Sequence, residues 1–179
     1  MASSFSTSLK LEKMTTGEKA GLWGTVTNTN LDLVEQAVGG YVELSLASGN
    51  QTPAISDGSA SDGRNKVIKL TGTLSANRSL IFPDSCEKTY LVVDGTTRSS
   101  SHYTVTIKTS SGTGVTMPVG STMLVIVDGT NVITGITQKG YVTTTGAYTA
   151  VNGDQVIVDT SAAAVTVTLP ASPAVGNEV

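Results

Sequence analysis

TGEKAGLWGTVTNTNLDLVEQAVGG, Thr16 to Gly40, holds the chain's one tryptophan, its one convincing helical period and a Gly-Gly stop. Within it Leu31, Val34, Ala37 and Val38 recur at i, i+3, i+6 and i+7, which gathers apolar side chains on one helix face. Thr27 or Asn28 can cap that helix, the pattern carries it to about Val38, and Gly39 and Gly40 read as the left-handed backbone that ends it. Glu35 and Gln36 fall on the other face. A helix of ten or so residues is marginal alone, so this one must dock on a sheet or on a second chain.

Beyond Gly40 the period changes to two. Tyr41 to Leu46 alternates, SGNQTPAISDGSASDG is a polar loop, and Asn65 to Leu70 alternates again. Further strands are predicted over Arg78–Phe82, Thr89–Val93, Tyr103–Thr109, Gly114–Met117, Thr122–Val127 and Asn131–Thr134. Asp94-Gly95 and Asp128-Gly129 separate neighbouring strands as tight hairpin turns do. Strands at this spacing predict an antiparallel sandwich or a related β-fold. A second unit starts near Gly140, where Gly153 to Pro170 echoes Gly63 to Pro83: a glycine, a Val-Ile strand, a Thr/Ser/Ala turn and an alternating strand ending in proline. Repeated β-units extended along an axis make a shaft. The ending AVGNEV reads as a turn and the first residues of another strand, so the chain is expected to be the front portion of a longer polypeptide.

Residues 1–24 mix Ser, Thr, Lys and Gly with little periodicity and are expected to be an extended arm that orders only against neighbours. The organisation is therefore residues 1–40 as arm and helix for attachment, 41–138 as an antiparallel β-sandwich-like domain, and 139–179 as the start of a second β-unit or of a repetitive β-shaft. The fold class is mainly β.

Composition narrows the function. Hydrophobic residues make up 39% but aromatics only 4%, so any core is built from Val, Leu, Ile and Ala. Charged residues are 14%, against about 25% in an average soluble domain; hydroxyl and amide side chains fill the surface instead. The net charge is −3 with Lys and Arg scattered singly, so no basic stripe is present to displace counterions and nucleic acid is not an expected partner. The longest apolar run, Met123 to Val127, is far short of the ~20 residues of a membrane helix. MASSFSTSLK has no apolar core behind a basic start, so neither secretion nor membrane insertion is expected. The lone Cys86 cannot form an intrachain disulfide, in keeping with synthesis in a reducing cytosol.

Chemistry is sparse. His102 is the only histidine, which removes His-rich metal sites and leaves Cys86 or a serine one imidazole partner, without a signature around either. Asp57/Asp62 and Asp84/Glu87 are the acidic clusters that resemble glycosidase carboxylates or calcium ligands, and they read more simply as solvated loop acids. No phosphate-binding loop, HExxH or paired CxxC occurs. No enzyme, cofactor or metal is expected. Trp23, between Gly21 and Gly24, reads as a buried anchor rather than an exposed sugar-stacking platform.

These residues carry a resemblance. Ser6-Thr7-x-Leu9-x-Leu11, Thr16-Gly17-Glu18-x-Ala20-Gly21-x-Trp23-Gly24, Asn28-x-Asn30-Leu31 and Glu35-Gln36-Ala37 together resemble the N-terminal region of tail-fibre and related virion proteins of tailed bacteriophages. Arg64-Asn65, Leu70-Thr71-Gly72-Thr73-Leu74 with Asn77-Arg78, Lys108-Thr109-Ser110, Gly112-Thr113-Gly114-Val115 and Asp128-Gly129-Thr130-Asn131-Val132 continue it in order, over about residues 5–134. Tyr148 to Val179 is similar to the β-repeats of phage fibre shafts. The resemblance implies a structural virion protein, assembled in the host cytoplasm and fixed to the tail through its N-terminal region. It implies a homotrimer, an adaptor, nozzle or baseplate protein as partner, and host surface glycan reached through distal regions. Leu9, Leu11, Trp23, Leu31, Val34 and Val38 are the expected attachment and interface residues. The alternatives are a carbohydrate-binding β-module, with Tyr41, Tyr90 and Tyr103 as stacking rings, and a capsid decoration protein; a glycan-degrading tailspike is more distant.

Overall fold

Alternating side chains from Tyr41 onward give strands with one greasy and one polar side, and a chain with few rings must bury them by stacking aliphatics on aliphatics. The computed structural model, which describes residues 3–100, 102–138, 141–151 and 153–171, is mainly β with one α-helix among those residues. The chain divides into two compact units, residues 1–137 and 138–179. In the first, β1 (Ser4–Phe5) and β2 (Glu12–Lys13) form a small hairpin, followed by α1 (Trp23–Gly39). Then come β3 (Tyr41–Ser45), a one-turn 3-10 helix (Asp62–Arg64), β4 (Val67–Thr71), β5 (Thr73–Leu74), β6 (Arg78–Phe82) and β7 (Glu87–Asp94). β8 (Thr97–Arg98), β9 (Val105–Thr109), β10 (Gly114–Met117), β11 (Thr122–Asp128) and β12 (Val132–Gln138) complete it.

Five strands lie in the order β12-β11-β7-β4-β3, three in the order β10-β9-β6, and β5 pairs with β8. The registers show how the chain winds. β3, β4 and β7 run parallel, with Val42 beside Ile68 and Ile68 beside Val92. β5 and β8 are parallel with Thr73 beside Thr97, and β6 and β9 are parallel with Leu80 beside Ile107. β4-β5-β6 and β7-β8-β9 are thus two successive rungs of a parallel coil. β3, with Gln51 bridged to Leu80, begins a third.

The antiparallel expectation holds for β11 on β7 and β10 on β9. It fails for the pairs that make the coil, and the reason lies at Asp94-Gly95. The Gly95 N–H donates to the Leu70 carbonyl of the parallel neighbour at 2.8 Å. The buried Asp94 carboxylate accepts from Arg98 Nη1 (2.9 Å), Gly120 N (3.0 Å) and Thr96 N (3.1 Å). Those bonds turn a corner into β8 instead of reversing the chain. Asp128-Gly129 does turn β11 towards its neighbour β12: Gly129 has φ 91°, and Asp128 Oδ1 accepts from the Thr130 and Asn131 N–H groups, which holds its carboxyl below the usual range.

Inward residues of the two larger sheets share one core that includes Leu44, Ile68, Leu70, Leu80, Ile107 and Val125. Phe82 of β6 and Tyr90 of β7 stack across it at 4.1 Å, which makes the pair of sheets sandwich-like. Leu74 of β5, also fully buried, closes the corner between them.

In the second unit, β13 (Tyr141–Thr144) runs parallel to β15 (Gln155–Val158), and β14 (Tyr148–Thr149) parallel to β16 (Val167–Thr168). Both echoing segments open on a strand held in a parallel pair, the first continuing through β5 to β6 and the second to β16. Asp154 is buried and accepts from Tyr148 Oη and Val151 N, both at 2.8 Å. The Lys139 and Gly140 start of this unit, and Ser172–Val179, lie outside the described residues.

Truncating a fully buried rung residue leaves a cavity that its stacked neighbours cannot fill. Ile68→Ala is expected to lower stability by about 2–5 kcal/mol in urea unfolding, and Val38→Ala, on an exposed position, to stay within about 0.5 kcal/mol.

Candidate attachment surface

The helix begins earlier than its cap signals predict. Thr27 and Asn28 lie inside α1, whose first residue is Trp23 and whose preceding residue, Leu22, makes no side-chain cap bond. Neither Gly39 nor Gly40 is left-handed: Gly40 has φ −67° and ψ 146°. Close approach explains Gly40 instead, because a Cβ there would stand 2.3 Å from the Gln36 carbonyl and 2.4 Å from Asn65 Oδ1. Its own carbonyl accepts from both Lys66 N and Val67 N, which seats the helix end against β4.

Of the face its periodicity marks, the helix buries only Ala37, together with Leu33 outside that face. Leu33 and Ala37 are buried, whereas Leu31 is 61% exposed, Val34 37%, Val38 72% and Trp23 64%. Trp23 is therefore not a buried anchor in this chain. Trp23, Leu31, Val34 and Val38 form one exposed stripe at helical spacing, with the half-buried Thr27 between Trp23 and Leu31. Leu9 and Leu11 are half-buried in the segment linking β1 and β2. The six expected interface residues thus divide into two within the hairpin and four on the outer helix stripe.

The leading segment is ordered against the body of its own chain, which corrects the expectation of an arm that orders only against neighbours. Arg64 is the reason. Its side chain is fully buried, and Nε donates to the Leu9 carbonyl at 3.0 Å. Nη2 donates to the Ser56 carbonyl at 2.7 Å, and Nη1 to the Ser59 carbonyl, Ser61 Oγ and Gln36 Oε1. One guanidinium thereby ties hairpin, loop and helix together. Asn30 of α1 adds a reciprocal pair, accepting from Glu12 N at 3.0 Å and donating to Glu12 O at 2.8 Å. Gly58 N donates to Lys10 O, and Glu87 N to Ser8 Oγ.

The electrostatics around Arg64 are cationic. Lys88 Nζ donates to the Arg64 and Asn65 carbonyls and lies 4.4 Å from the centre of the Tyr90 ring. Burial pushes the Lys88 ammonium down to about 8, and Lys66 and Arg64 add repulsion. Burial likewise lowers Arg64 from its ordinary value and raises the Tyr90 phenol, whose Oη donates to the Gly63 carbonyl at 2.7 Å.

The other candidates are not assembled into a site. Cys86 is buried against Tyr90 Oη, with its thiol pushed up by burial, while His102 lies on an exposed turn beside Ser100 Oγ. Asp57 faces Lys10 at 3.9 Å, Asp62 is exposed on the 3-10 turn, and Asp84 accepts from Ser111. Of the three tyrosines weighed as stacking rings, Tyr90 is in the core, Tyr103 packs against it and Tyr41 is exposed. Among the described residues no group of three His, Cys, Asp or Glu side chains is placed to hold a metal ion, and no helix is long and apolar enough to cross a membrane.

Sequence reasoning missed Arg64 as an organiser because SDGSASDGR looks like a solvated loop; the one available signal was an arginine immediately before a strand, within a Gly- and Ser-rich turn. Comparison with family models, curated proteins and solved structures gives no match.

Arg64→Met is expected to leave the Leu9, Ser56 and Ser59 carbonyls without a donor. At about 1–3 kcal/mol for each buried unsatisfied group, the loss should be on the order of 3 kcal/mol or more in urea unfolding, with faster tryptic cleavage at Lys10 and Lys13. A second test uses pH. Lys88 titrates lower folded than unfolded, so between pH about 8 and about 10.5 the unfolded chain binds more protons and stability rises with pH. The urea midpoint of the parent should climb across that window relative to Lys88→Met, and equal slopes would contradict the burial of a charged amine.

Proposed function

We propose that this chain is a structural protein of a bacteriophage tail fibre, holding the fibre to the tail through its N-terminal region and carrying distal host-recognition parts outward. The observation that carries the reading is the winding: parallel rungs recur in both units. A parallel coil lengthens by adding rungs along an axis, each burying the face of the last, and so makes a shaft without needing a cofactor. The low-charge, hydroxyl-rich surface suits a scaffold.

The N-terminal region supports attachment in an altered form. A segment already tied down by Arg64 and Asn30 loses little conformational freedom on docking, so its exposed apolar groups contribute more fully to binding an adaptor, nozzle or baseplate protein. The fibre reading takes the chain as a homotrimer, in which repeated distal tips hold a host cell by avidity. Of the tyrosines proposed as sugar platforms, the core burial of Tyr90 makes the carbohydrate-module alternative the weaker one.

Gold-labelled antibodies against this chain, applied to virus particles that carry it and viewed by electron microscopy, test the reading. Label confined to the tail is the expected result. Label over the capsid would make it a decoration protein, and particles without label would remove it from the virion.

A further inference from the structure

We infer that Asp128-Gly129, at the turn from β11 to β12, is a site of spontaneous covalent modification, where the Gly129 nitrogen attacks the Asp128 side chain and the main chain becomes β-linked (isoaspartyl). The inference stands apart from the fibre reading, because it rests on the chemistry of the turn alone.

The chain carries four Asp-Gly pairs, beginning at Asp57, Asp62, Asp94 and Asp128. With no Cβ on the second residue, each leaves the attacking nitrogen sterically open. Attack also requires that this nitrogen be free of an acceptor that fixes its peptide plane. In three of the pairs it is fixed: Gly58 N donates to Lys10 O at 2.8 Å, Gly63 N to Ala54 O at 2.9 Å and Gly95 N to Leu70 O at 2.8 Å. Gly129 N donates to no acceptor among the described residues.

The carboxyl groups sort the pairs the same way. Both oxygens of the buried Asp94 are engaged, Oδ1 by Thr96 and Oδ2 by Arg98 and Gly120. Asp57 and Asp62 accept no backbone N–H. Asp128 is exposed, and its Oδ1 accepts from Thr130 N at 2.9 Å and Asn131 N at 2.6 Å, which folds the side chain back past the Gly129 peptide. Its Oδ2 accepts from no group among the described residues. Charge that builds on Oδ1 as Cγ is attacked therefore falls between two N–H donors, the arrangement that stabilises a tetrahedral oxyanion.

The step balances without a co-reactant. The Gly129 N to Asp128 Cγ bond forms, Oδ2 departs with the carboxyl proton and the amide hydrogen as water, and a five-membered succinimide closes. Water then adds at the main-chain carbonyl carbon of Asp128, and breaking its bond to Gly129 N leaves the former main-chain carbonyl as a free carboxylate. The product lengthens the main chain by a methylene. Gly129 O accepts from Ser85 N at 2.9 Å and Thr130 O accepts from Thr109 Oγ1, so two other segments tied to this turn are displaced with it. The donors on Oδ1 hold the carboxyl below its usual range, and only its acid form loses water, so the reaction speeds up as pH falls.

The test incubates the full chain folded at pH about 5 and about 8, on either side of neutrality, and in parallel in concentrated urea. Circular dichroism confirms that the first two samples stay folded. Tryptic peptides are then fragmented by electron transfer, which separates β-linked from α-linked aspartate. Asp128 is the only Asp or Glu in the peptide from Thr109 to Lys139, and Asn152-Gly153 falls on a different peptide. In the folded chain isoaspartate should accumulate at Asp128 ahead of Asp57, Asp62 and Asp94, and faster at the lower pH; in urea the four should convert at similar rates. A folded chain in which another of the four leads, or in which Asp128 stays α-linked while the urea sample converts, would overturn the inference. A rate at Asp128 that does not rise on acidification would overturn it too. None of these failures touches the position of the chain in the particle, which the gold label reads.

Discussion

A guanidinium sealed among carbonyl oxygens holds the front of this molecule together. Arg64 is fully buried, and among the described residues no carboxylate pairs with it; its hydrogens go to the carbonyls of Leu9, Ser56 and Ser59, to Ser61 Oγ and to Gln36 Oε1. A buried cation without such partners would cost far more than a small domain can absorb, so the arrangement is an all-or-none requirement on three separate pieces of chain. The loop that supplies two of those carbonyls is shaped by Gly63, where a Cβ would stand 2.8 Å from the carbonyls of both Pro53 and Ala54. Tyr90 and Lys88 then fasten the same turn to β7 through the carbonyls of Gly63, Arg64 and Asn65. Hairpin, loop and helix therefore meet at one residue, and Asn30 on Glu12, Ser8 on Glu87 and Gly40 on Lys66 and Val67 add to that tie.

Much of the β-structure was legible in the sequence. Alternation located the longer strands from β3 to β12, since period two records which side chains face inward, and the helix was visible from its period; the two-residue strands β1, β2, β5 and β8 are too short to carry a period. Partner direction was not legible. Alternation in β4 and β7 reads the same whether they run parallel or antiparallel, and an Asp-Gly dipeptide reverses a chain only when its backbone bonds go to its own hairpin. At Asp94-Gly95 they go to β4 and to the Gly120 turn instead.

The residues expected at an interface illustrate the same limit at the helix. Of the apolar row Leu31, Val34, Ala37 and Val38 only Ala37 is buried, beside Leu33, which lies outside the row. The choice between two faces of a short helix is made by Asn30 and Gln36, polar residues whose partners Glu12 and Arg64 are distant in sequence. Trp23 follows the rotation of the helix and ends up outside. Leu31, Val34 and Val38 stay on the surface because the contacts of Asn30 and Gln36 fix the rotation of the helix.

Amide hydrogen exchange on the full chain is the most direct check that the leading segment belongs to the same cooperative unit as the coil. The account predicts that the N–H groups of Glu12 and Gly58, bonded to Asn30 and to Lys10, exchange as slowly as those of the β4 and β7 ladder. Exchange of these two amides at the rate of an unfolded peptide, while the ladder stays protected, would contradict it.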